Sequence, residues 1–324
     1  MGVNMKNLKS VGFPISHKEN ELRRSIIPPH IKMISHPEML WFEYGYGAVC
    51  GYSDSDFTCL GCHMASHNEV LTKDIICDPK IGDADYLSAL NKQIVFGWIH
   101  ATQSREITDK LINGKLTAYA WEKMFYRGRH IFWRNNELAG EAAIMHAFQC
   151  YGRMPYEVSA AVIGRGNTAK GAMKVLNMLG AKVMQYDRRT EGLLREEISR
   201  YDVIVNCVLW DVTRKDHILY REDLKKMKSD SMIIDVSCDY HGGVETSVPT
   251  TIENPVYSID GVLHYVVDHT PALFHKTFTY NNSELIWEYI NQLVENKPSC
   301  VIDDSMIVED GIIIDQEISR FQNR

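Results

Sequence analysis

The most regular hydrophobic pattern in the chain starts at Val158. VSAAVIG (158–164) is a short apolar run, β-branched in part, that ends in glycine, and it predicts a buried parallel strand. In the GRGNTAKGAMKVLNMLG that follows, Ala169, Ala172, Met173, Leu176 and Leu179 recur at helical spacing, and Gly180 is a natural stop. KVMQYD (182–187) predicts the next strand. Strand, glycine turn, helix and strand within about 30 residues make a βαβ unit. Three later apolar runs, DVIVNCVL (202–209), SMIIDVS (231–237) and HYVVD (264–268), extend it into the rhythm of a doubly wound sheet.

The first half repeats that rhythm. VGFP (11–14), MLWFEY (39–44), DIIC (74–77), QIVFGWI (93–99) and LTAYAWE (116–122) predict strands, with helical stretches between several of them. NNELAGEAAIMHAFQCYG has the periodicity of a connecting helix, within a connector near 130–155. A last helical pattern runs from Leu273 to about Asn296, with Leu285, Ile286, Tyr289, Ile290 and Leu293 on one face. The expectation is an α/β protein of two domains, 1–135 and 136–274, with 275–324 returning to the first. A cleft between two such domains is a usual meeting place for cofactor and substrate.

Composition narrows the function. The 324 residues are 45% hydrophobic and 24% charged, the range of a globular enzyme, and a net charge of −7 disfavours nucleic-acid binding. No run approaches the length of a membrane helix. MGVNMKNLKSVGF lacks the apolar core of a signal peptide, and eight cysteines are too dilute for a disulfide scaffold. A cytoplasmic protein is expected.

The glycine turn is the strongest chemical motif. Gly164, Gly166 and Ala169 form G-x-G-x-x-A between a strand and a helix. The first glycine permits the tight turn, the second lets backbone approach a pyrophosphate, and the small Ala169 lets the helix pack on the sheet. Asn167 and Thr168 open the helix, whose N-terminal N–H groups suit phosphates. Asp187 closes the next strand 23 residues after Gly164, where a carboxylate binds a ribose 2′-hydroxyl and favours NAD. Arg188 and Arg189 follow at once, and two guanidiniums there suit the 2′-phosphate of NADP. The residues leave that choice near even. Cys207 in DVIVNCVL and Asp268 at the end of HYVVD are further candidate cofactor contacts. The fold class is thus α/β with two Rossmann-like domains, the cofactor domain a doubly wound parallel sheet.

Candidates for chemistry lie at ends of the first-half strands. Arg23 and Arg24 precede the apolar run SIIPPHI, and an arginine can clamp a substrate carboxylate bidentately. Lys80 in CDPKIGD and His100 in FGWIH follow apolar strands, whose carboxyl ends face the ligand crevice. A lysine and a histidine there can polarise a carbonyl and move protons. Asp239 follows SMIIDVS, and Gly242 and Gly243 after it leave room for a ligand. Asp78, Asp83 and Asp85 around Lys80 either attract a cationic amino acid or serve as helix caps and solvated charges, the second reading being preferred. CLGCH (59–63) matches a haem-attachment pattern, but that chemistry needs export, and a zinc site needs more ligands. Cys59 and Cys62 are read instead as core thiols on a helix beginning near Ser53, and no metal is expected.

Over nearly its full length the chain resembles the alanine dehydrogenase and pyridine-nucleotide transhydrogenase superfamily. NELRRSIIP, EYGYGAVCGYSDSDF, CDPKIGD, FGWIH, GRGNTAKGA and SCDYHGGVETSVPT carry the resemblance. GFPISHKENELRRSIIPPHI and ICDPKIGDADYL resemble its N5-(carboxyethyl)ornithine synthase branch in particular, and lysine-forming saccharopine dehydrogenases share the layout more distantly. D-P-K-I stands where alanine dehydrogenases usually have V-K-E-P, and their C-terminal part is usually longer.

By that resemblance, Arg23 is the substrate-carboxylate arginine, Lys80 the substrate-binding catalytic lysine, His100 the acid/base histidine, and Asp239 the aspartate near nicotinamide and histidine. The implied reaction is NADPH-dependent reductive condensation of pyruvate with the side-chain amine of ornithine or lysine through an imine. NADP(H) is favoured over NAD(H), and a homo-oligomer is implied. The alternatives are an alanine dehydrogenase, in which ammonia replaces the amino acid, and a non-catalytic nucleotide-binding protein.

Overall fold

The computed structural model describes residues 8–211 and 214–324. Residues 1–7, which begin the stretch read above for a targeting signal, lie outside them. The chain divides into two compact units, Met1–Phe132 with His275–Arg324, and Trp133–Phe274. Along the chain run β1 (Val11–Phe13), β2 (Leu40–Glu43), β3 (His63–Ala65), β4 (Ile75–Cys77), β5 (Ile94–Gly97), α1 (Arg105–Asn113), β6 (Thr117–Ala120) and a hairpin of β7 (Phe125–Tyr126) and β8 (Arg129–His130). The second unit holds α2 (Trp133–Tyr151), β9 (Ser159–Ile163), α3 (Asn167–Met178), β10 (Lys182–Tyr186), β11 (Val203–Asn206), β12 (Met232–Asp235), β13 (Val256–Ile259) and β14 (Val262–Tyr265). The first unit closes with α4 (His275–Val294), β15 (Met306–Glu309) and β16 (Ile312–Ile313).

The sheet of the first unit has the order β16-β15-β6-β5-β4-β1-β2-β3. It is parallel from β3 to β6, with β15 and β16 antiparallel at one edge. The sheet of the second unit has the order β10-β9-β11-β12-β14-β13, parallel except for β13. Central parallel strands are covered on both faces, so they read as unbroken apolar runs. On one face Ala160, Val162, Val203, Val205 and Ile234 pack with Ala143, Ala172 and Leu176 of the two long helices. Their neighbours Ala161, Ile163, Ile204 and Ile233 pack on the other face with Leu194, Ile198 and Leu224.

Several short elements were not foreseen. β3, the β7–β8 hairpin, β13, β15 and β16 span two to four residues each, and most expose part of their length. Such strands form because a neighbour offers them a ladder, so they carry little periodicity of their own. The strand expected at HYVVD instead occupies Val262–Tyr265, where the turn at Asp260 and Gly261 sets its start by pairing it with β13. The helix expected from Ser53 does begin there, with a Ser53–Asp56 capping box, but it ends at Thr58. Cys59 is therefore exposed and only Cys62 is buried, which corrects the reading of both as core thiols.

Helices α2 and α3 meet backbone to backbone. A Cβ on Gly140 would lie 2.0 Å from the Thr168 carbonyl oxygen, and one on Gly171 would lie 1.9 Å from that of Glu137. The helix that opens with the glycine turn is thus held against α2 by two missing side chains. Gly171→Val should force the helices apart and lower unfolding free energy by about 1–3 kcal/mol. Urea denaturation checks this, and an unchanged midpoint would show that the contact is not needed.

Candidate active site

In the first unit β1 pairs with β2 on one side and with β4 on the other. Chain order reverses there, and a crevice opens beyond the carboxyl ends of the strands at such a point. Arg23 follows β1, Lys80 follows β4 and His100 follows β5. Two glycines bring the last two loops together. A Cβ on Gly97 would lie 1.9 Å from the Asp78 carbonyl oxygen, and one on Gly82 would lie 2.0 Å from that of Ile99. CDPKIGD and FGWIH can therefore pack backbone on backbone.

Arg23 is buried, with its guanidinium 4.9 Å from the centre of the Phe278 ring. Its Nε donates to Glu21 Oε1 at 2.8 Å and its Nη2 to Glu21 Oε2 at 2.5 Å. Burial pushes the Glu21 carboxyl up, but the charge and hydrogen bonds of Arg23, with Lys80 behind them, hold it below its ordinary value. Arg24 serves the fold. Its Nε donates to the Tyr46 carbonyl at 2.7 Å and its Nη1 to the Arg23 carbonyl at 2.9 Å.

Lys80 is buried, and its Nζ lies 2.8 Å from Asp83 Oδ2. Lys18 donates to the same oxygen at 2.8 Å. Burial would raise the Asp83 carboxyl, but the two lysines hold it well below the carboxylate range. Asp78 is buried, accepts the Lys80 N–H at 2.8 Å and the Tyr86 hydroxyl, and is raised to about 6 chiefly by burial. The expectation that these aspartates are mere caps and solvated charges is thus corrected for Asp78 and Asp83. Proline and glycine turn the loop so that Asp78 is buried, while Asp83 stays partly exposed between the two lysines. Asp85 does lie at the surface, beside His17 Nδ1 at 3.2 Å.

His100 adopts a left-handed backbone (φ 56°). Glu122 holds it there, accepting the N–H groups of Ile99 at 3.2 Å and of His100 at 2.6 Å. Its ring stacks on Trp98, with centroids 6.0 Å apart. His100 is exposed, and desolvation by the residues around it is the first cause that lowers its pKa. Lys80 and Arg23 lower it further, while Glu122 and Asp83 act against them. Arg23, Lys80, Asp83, His100 and Glu122 therefore form one electrostatic cluster. Glu122 was not singled out from the sequence, and Asp83 was singled out only as one of three aspartates near Lys80, with a cap or solvated charge preferred. The spacing of Asp83 three residues after Lys80, and of Glu122 just past a strand end, was the available signal.

In the second unit the chain reverses between β9 and β11. Gly164 sits there with φ 118°, and a Cβ on it would crowd the Cys207 carbonyl oxygen at 3.1 Å. A Cβ on Gly166 would meet nothing within 4 Å. Gly166 caps α3 without a side-chain acceptor, and Asn167, Thr168 and Ala169 begin the helix. An open approach, free N-terminal N–H groups and a positive dipole end fit a dinucleotide pyrophosphate. The Cys207 thiol is buried and pushed up, so it is neutral, and its backbone is what borders the turn.

Asp187 is already engaged. Its Oδ2 lies 2.8 Å from Arg165 Nε, and its Oδ1 accepts the Arg189 N–H at 2.9 Å. The Arg189 N–H and then Arg165 hold its carboxyl below the usual value. The side chains of Arg188 and Arg189 are exposed. Asp268 is exposed and pairs with His269 Nδ1. Asp239 lies between Cys238 and His241, both left-handed (φ 57° and 48°). Burial and the nearby Asp235 charge raise its carboxyl to about 6, and its buried Oδ2 meets no donor among the described residues. Asp235 anchors this loop from beneath, accepting Asn206 Nδ2 at 2.9 Å and Ser247 Oγ at 2.5 Å.

Among the described residues His17, Glu43 and His67 bring ligand-type atoms within 4.8 Å of one another. The two rings are stacked at 4.7 Å and tilted by 23°, so their in-plane lone pairs point along nearly parallel layers rather than at one ion. Glu43 meanwhile accepts the Ile15 N–H at 2.7 Å and lies 2.7 Å from His67 Nδ1. Glu43 and His67 thus form a hydrogen-bonded support for the loop after β1, with the His17 ring stacked on His67.

Known proteins resemble the chain in both units. It is 28% identical over 298 residues to an N(5)-(carboxyethyl)ornithine synthase of Clostridium botulinum, spanning 86% of this chain and 93% of that protein. Against the protein of that name from Lactococcus lactis subsp. lactis it is again 28% identical, spanning 86% and 94%. It is 25% identical to alanine dehydrogenase 1 of Staphylococcus aureus, spanning 92% and 91%. Among solved structures, an L-alanine dehydrogenase superposes with a TM-score of 0.79 at 18% identity, covering 97% of this chain and 99% of the other. The transhydrogenase from Sinorhizobium meliloti superposes with a TM-score of 0.77 at 17% identity, covering 95% and 99%. These two likenesses show the shared two-domain Rossmann-like fold. Residues 12–131 match the N-terminal domain and residues 167–320 the C-terminal domain of alanine dehydrogenase/PNT, so the chain belongs to that family of NAD(P)-dependent oxidoreductases.

Proposed function

We propose that the protein catalyses reductive condensation of pyruvate, or a similar 2-oxo acid, with the side-chain amine of ornithine or lysine. The observation that carries this reading is the cluster of Arg23, Lys80 and His100 past the ends of the adjacent strands β1, β4 and β5. Its likeness to the carboxyethylornithine synthases of two bacteria supports the choice of amine. Arg23, oriented by Glu21, clamps the oxo-acid carboxylate. Lys80 donates a hydrogen bond to the carbonyl oxygen, which gains negative charge as the amine nitrogen attacks. His100, whose lowered pKa leaves it neutral at pH 7, takes the proton of the amine and returns it to the departing hydroxyl. Water leaves and a carbon–nitrogen double bond forms. The nicotinamide, when bound, supplies the hydride that reduces it to a secondary amine.

For the cofactor we propose NADP(H). Arg165 already neutralises Asp187, which leaves exposed Arg188 and Arg189 to hold a 2′-phosphate. Gly164, Gly166, Asn167, Thr168 and Ala169 would hold the pyrophosphate, and Cys207, Asp268 and Asp239 would be further contacts of the cofactor. The proposal includes a cytoplasmic homo-oligomer. Eight free cysteines fit a reducing compartment, and no described helix is long and apolar enough to cross a membrane.

The direct test follows near-ultraviolet absorbance of NADPH, then NADH, with pyruvate plus ornithine, lysine or ammonia. Turnover with ornithine or lysine but not ammonia is expected; turnover with ammonia alone would make the protein an alanine dehydrogenase, and silence in every mixture would reject both. Lys80→Met should keep its fold, by circular dichroism, and lose roughly 100- to 1000-fold in kcat; an undiminished rate would remove Lys80 from the mechanism. Replacing Arg188 and Arg189 by serine should raise the KM for NADPH roughly 10- to 100-fold and leave that for NADH nearly unchanged. Equal effects on the two cofactors would contradict a 2′-phosphate site.

Asp239 allows a stability test of opposite sign to the activity test. A carboxyl raised to about 6 in the fold is favourable while protonated, and that stability is lost as pH rises through about 6. Asp239→Asn should therefore match or exceed the parent's urea midpoint at pH 8 while losing at least about tenfold in kcat. Lower stability at pH 8, or full activity, would count against the assignment.

A further inference from the structure

Two ammonium groups converge on one oxygen in the crevice of the first unit. Lys80 Nζ and Lys18 Nζ each lie 2.8 Å from Asp83 Oδ2, so they are no further apart than those two bonds laid end to end. Like charges this close repel unless a carboxylate stands between them. The two lysines come from different strand ends, β1 and β4, so chain connectivity does not fix their separation. The Asp83 carboxylate does. Its side chain is 30% exposed and lies in the short turn that Gly82 packs against Ile99, so its own place is set by backbone contacts.

We propose that Asp83 is the positioning residue of the site: it holds the Lys80 ammonium where the carbonyl oxygen of the oxo acid must lie, and it offsets cationic charge that would otherwise repel the incoming amine. The inference rests on the function proposed above and adds a residue and a charge requirement to it. Arg23, Lys80 and Lys18 together suit an anion, but the second substrate approaches with a basic nitrogen. Removing the Asp83 carboxylate that the two lysines share should leave the oxo acid bound and turn the amine away. Asp83 also acts on His100 through space. The charged groups that set the His100 proton affinity are Glu122 and Asp83 on the raising side and Lys80 and Arg23 on the lowering side, with the Trp98 ring against its face.

The test compares parent, Asp83→Asn and the double variant Lys18→Met/Asp83→Asn. With pyruvate and the best amine, Asp83→Asn should lose roughly 10- to 100-fold in kcat and raise the KM for the amine, while the KM for pyruvate stays level or falls. The acid limb of its kcat/KM profile should move to lower pH, because His100 has lost a nearby negative charge. The double variant should regain part of kcat, since one of the two repelling ammonium groups is gone. A merely structural Asp83 would instead lower the melting temperature, raise both KM values and leave the acid limb in place. Full kcat with an unmoved limb, or no recovery in the double variant, overturns the proposal. A parent that turns over only ammonia overturns the proposed substrate, and the same three proteins assayed with ammonia then decide Asp83 on its own. A parent silent in every mixture overturns both.

Discussion

Backbone lies on backbone where β4 and β5 end, and the rest of the site depends on it. Gly97 and Gly82 carry no Cβ, so the loop after each strand reaches the main chain of the other. A side chain at either place would have to push the facing main chain back by about 1 Å or more. Lys80 and His100 share one electrostatic environment because of this contact, and Asp83, one residue past Gly82, is carried with them. Close contact through missing side chains recurs in the second unit at Gly140 and Gly171, which seat the helix that begins with the dinucleotide turn.

Each unit uses a sheet reversal for a different chemical task. Beyond β1 and β4 the side chains are charged and matched in pairs, Arg23 with Glu21 and Lys80 with Asp83. Beyond β9 and β11 there are few side chains at all, and the site is made of glycine, exposed N–H groups and a helix end. The first arrangement has the charges that suit small charged molecules. The second has the free N–H groups that suit a phosphate. Parallel strands make both possible, since all their carboxyl ends emerge on one edge.

Burial pushes the carboxyls of Asp78, Asp239 and Asp83 up, and the cations beside each decide where it ends. Asp78 and Asp239 have few cations near them and are raised to about 6, whereas Asp83 is shared by two lysines and stays ionised despite its partial burial. Glu122 gives its charge to two backbone N–H groups and keeps His100 in a conformation that a side chain rarely adopts. The polar groups of the first unit thus support one another.

Much of the architecture was legible in the sequence because buried parallel strands must be apolar on both faces, and VSAAVI, VIVN and MIID show that directly. The glycine turn was legible for a related reason: Gly164 and Gly166 stand where a side chain would obstruct the chain or its approach. Resemblance marked Arg23, Lys80, His100 and Asp239, but spacing along the chain could not say which of their neighbours matter. Short edge strands, the exposure of Cys59, the engagement of Asp187 by Arg165 and the sharing of Asp83 by two lysines were decided by tertiary structure alone. They depend on groups far apart in sequence, such as Lys18 and Asp83, that become neighbours only when parallel strands align their ends. Local pattern encodes which face of an element is buried. Which charges meet is set by how the elements are arranged.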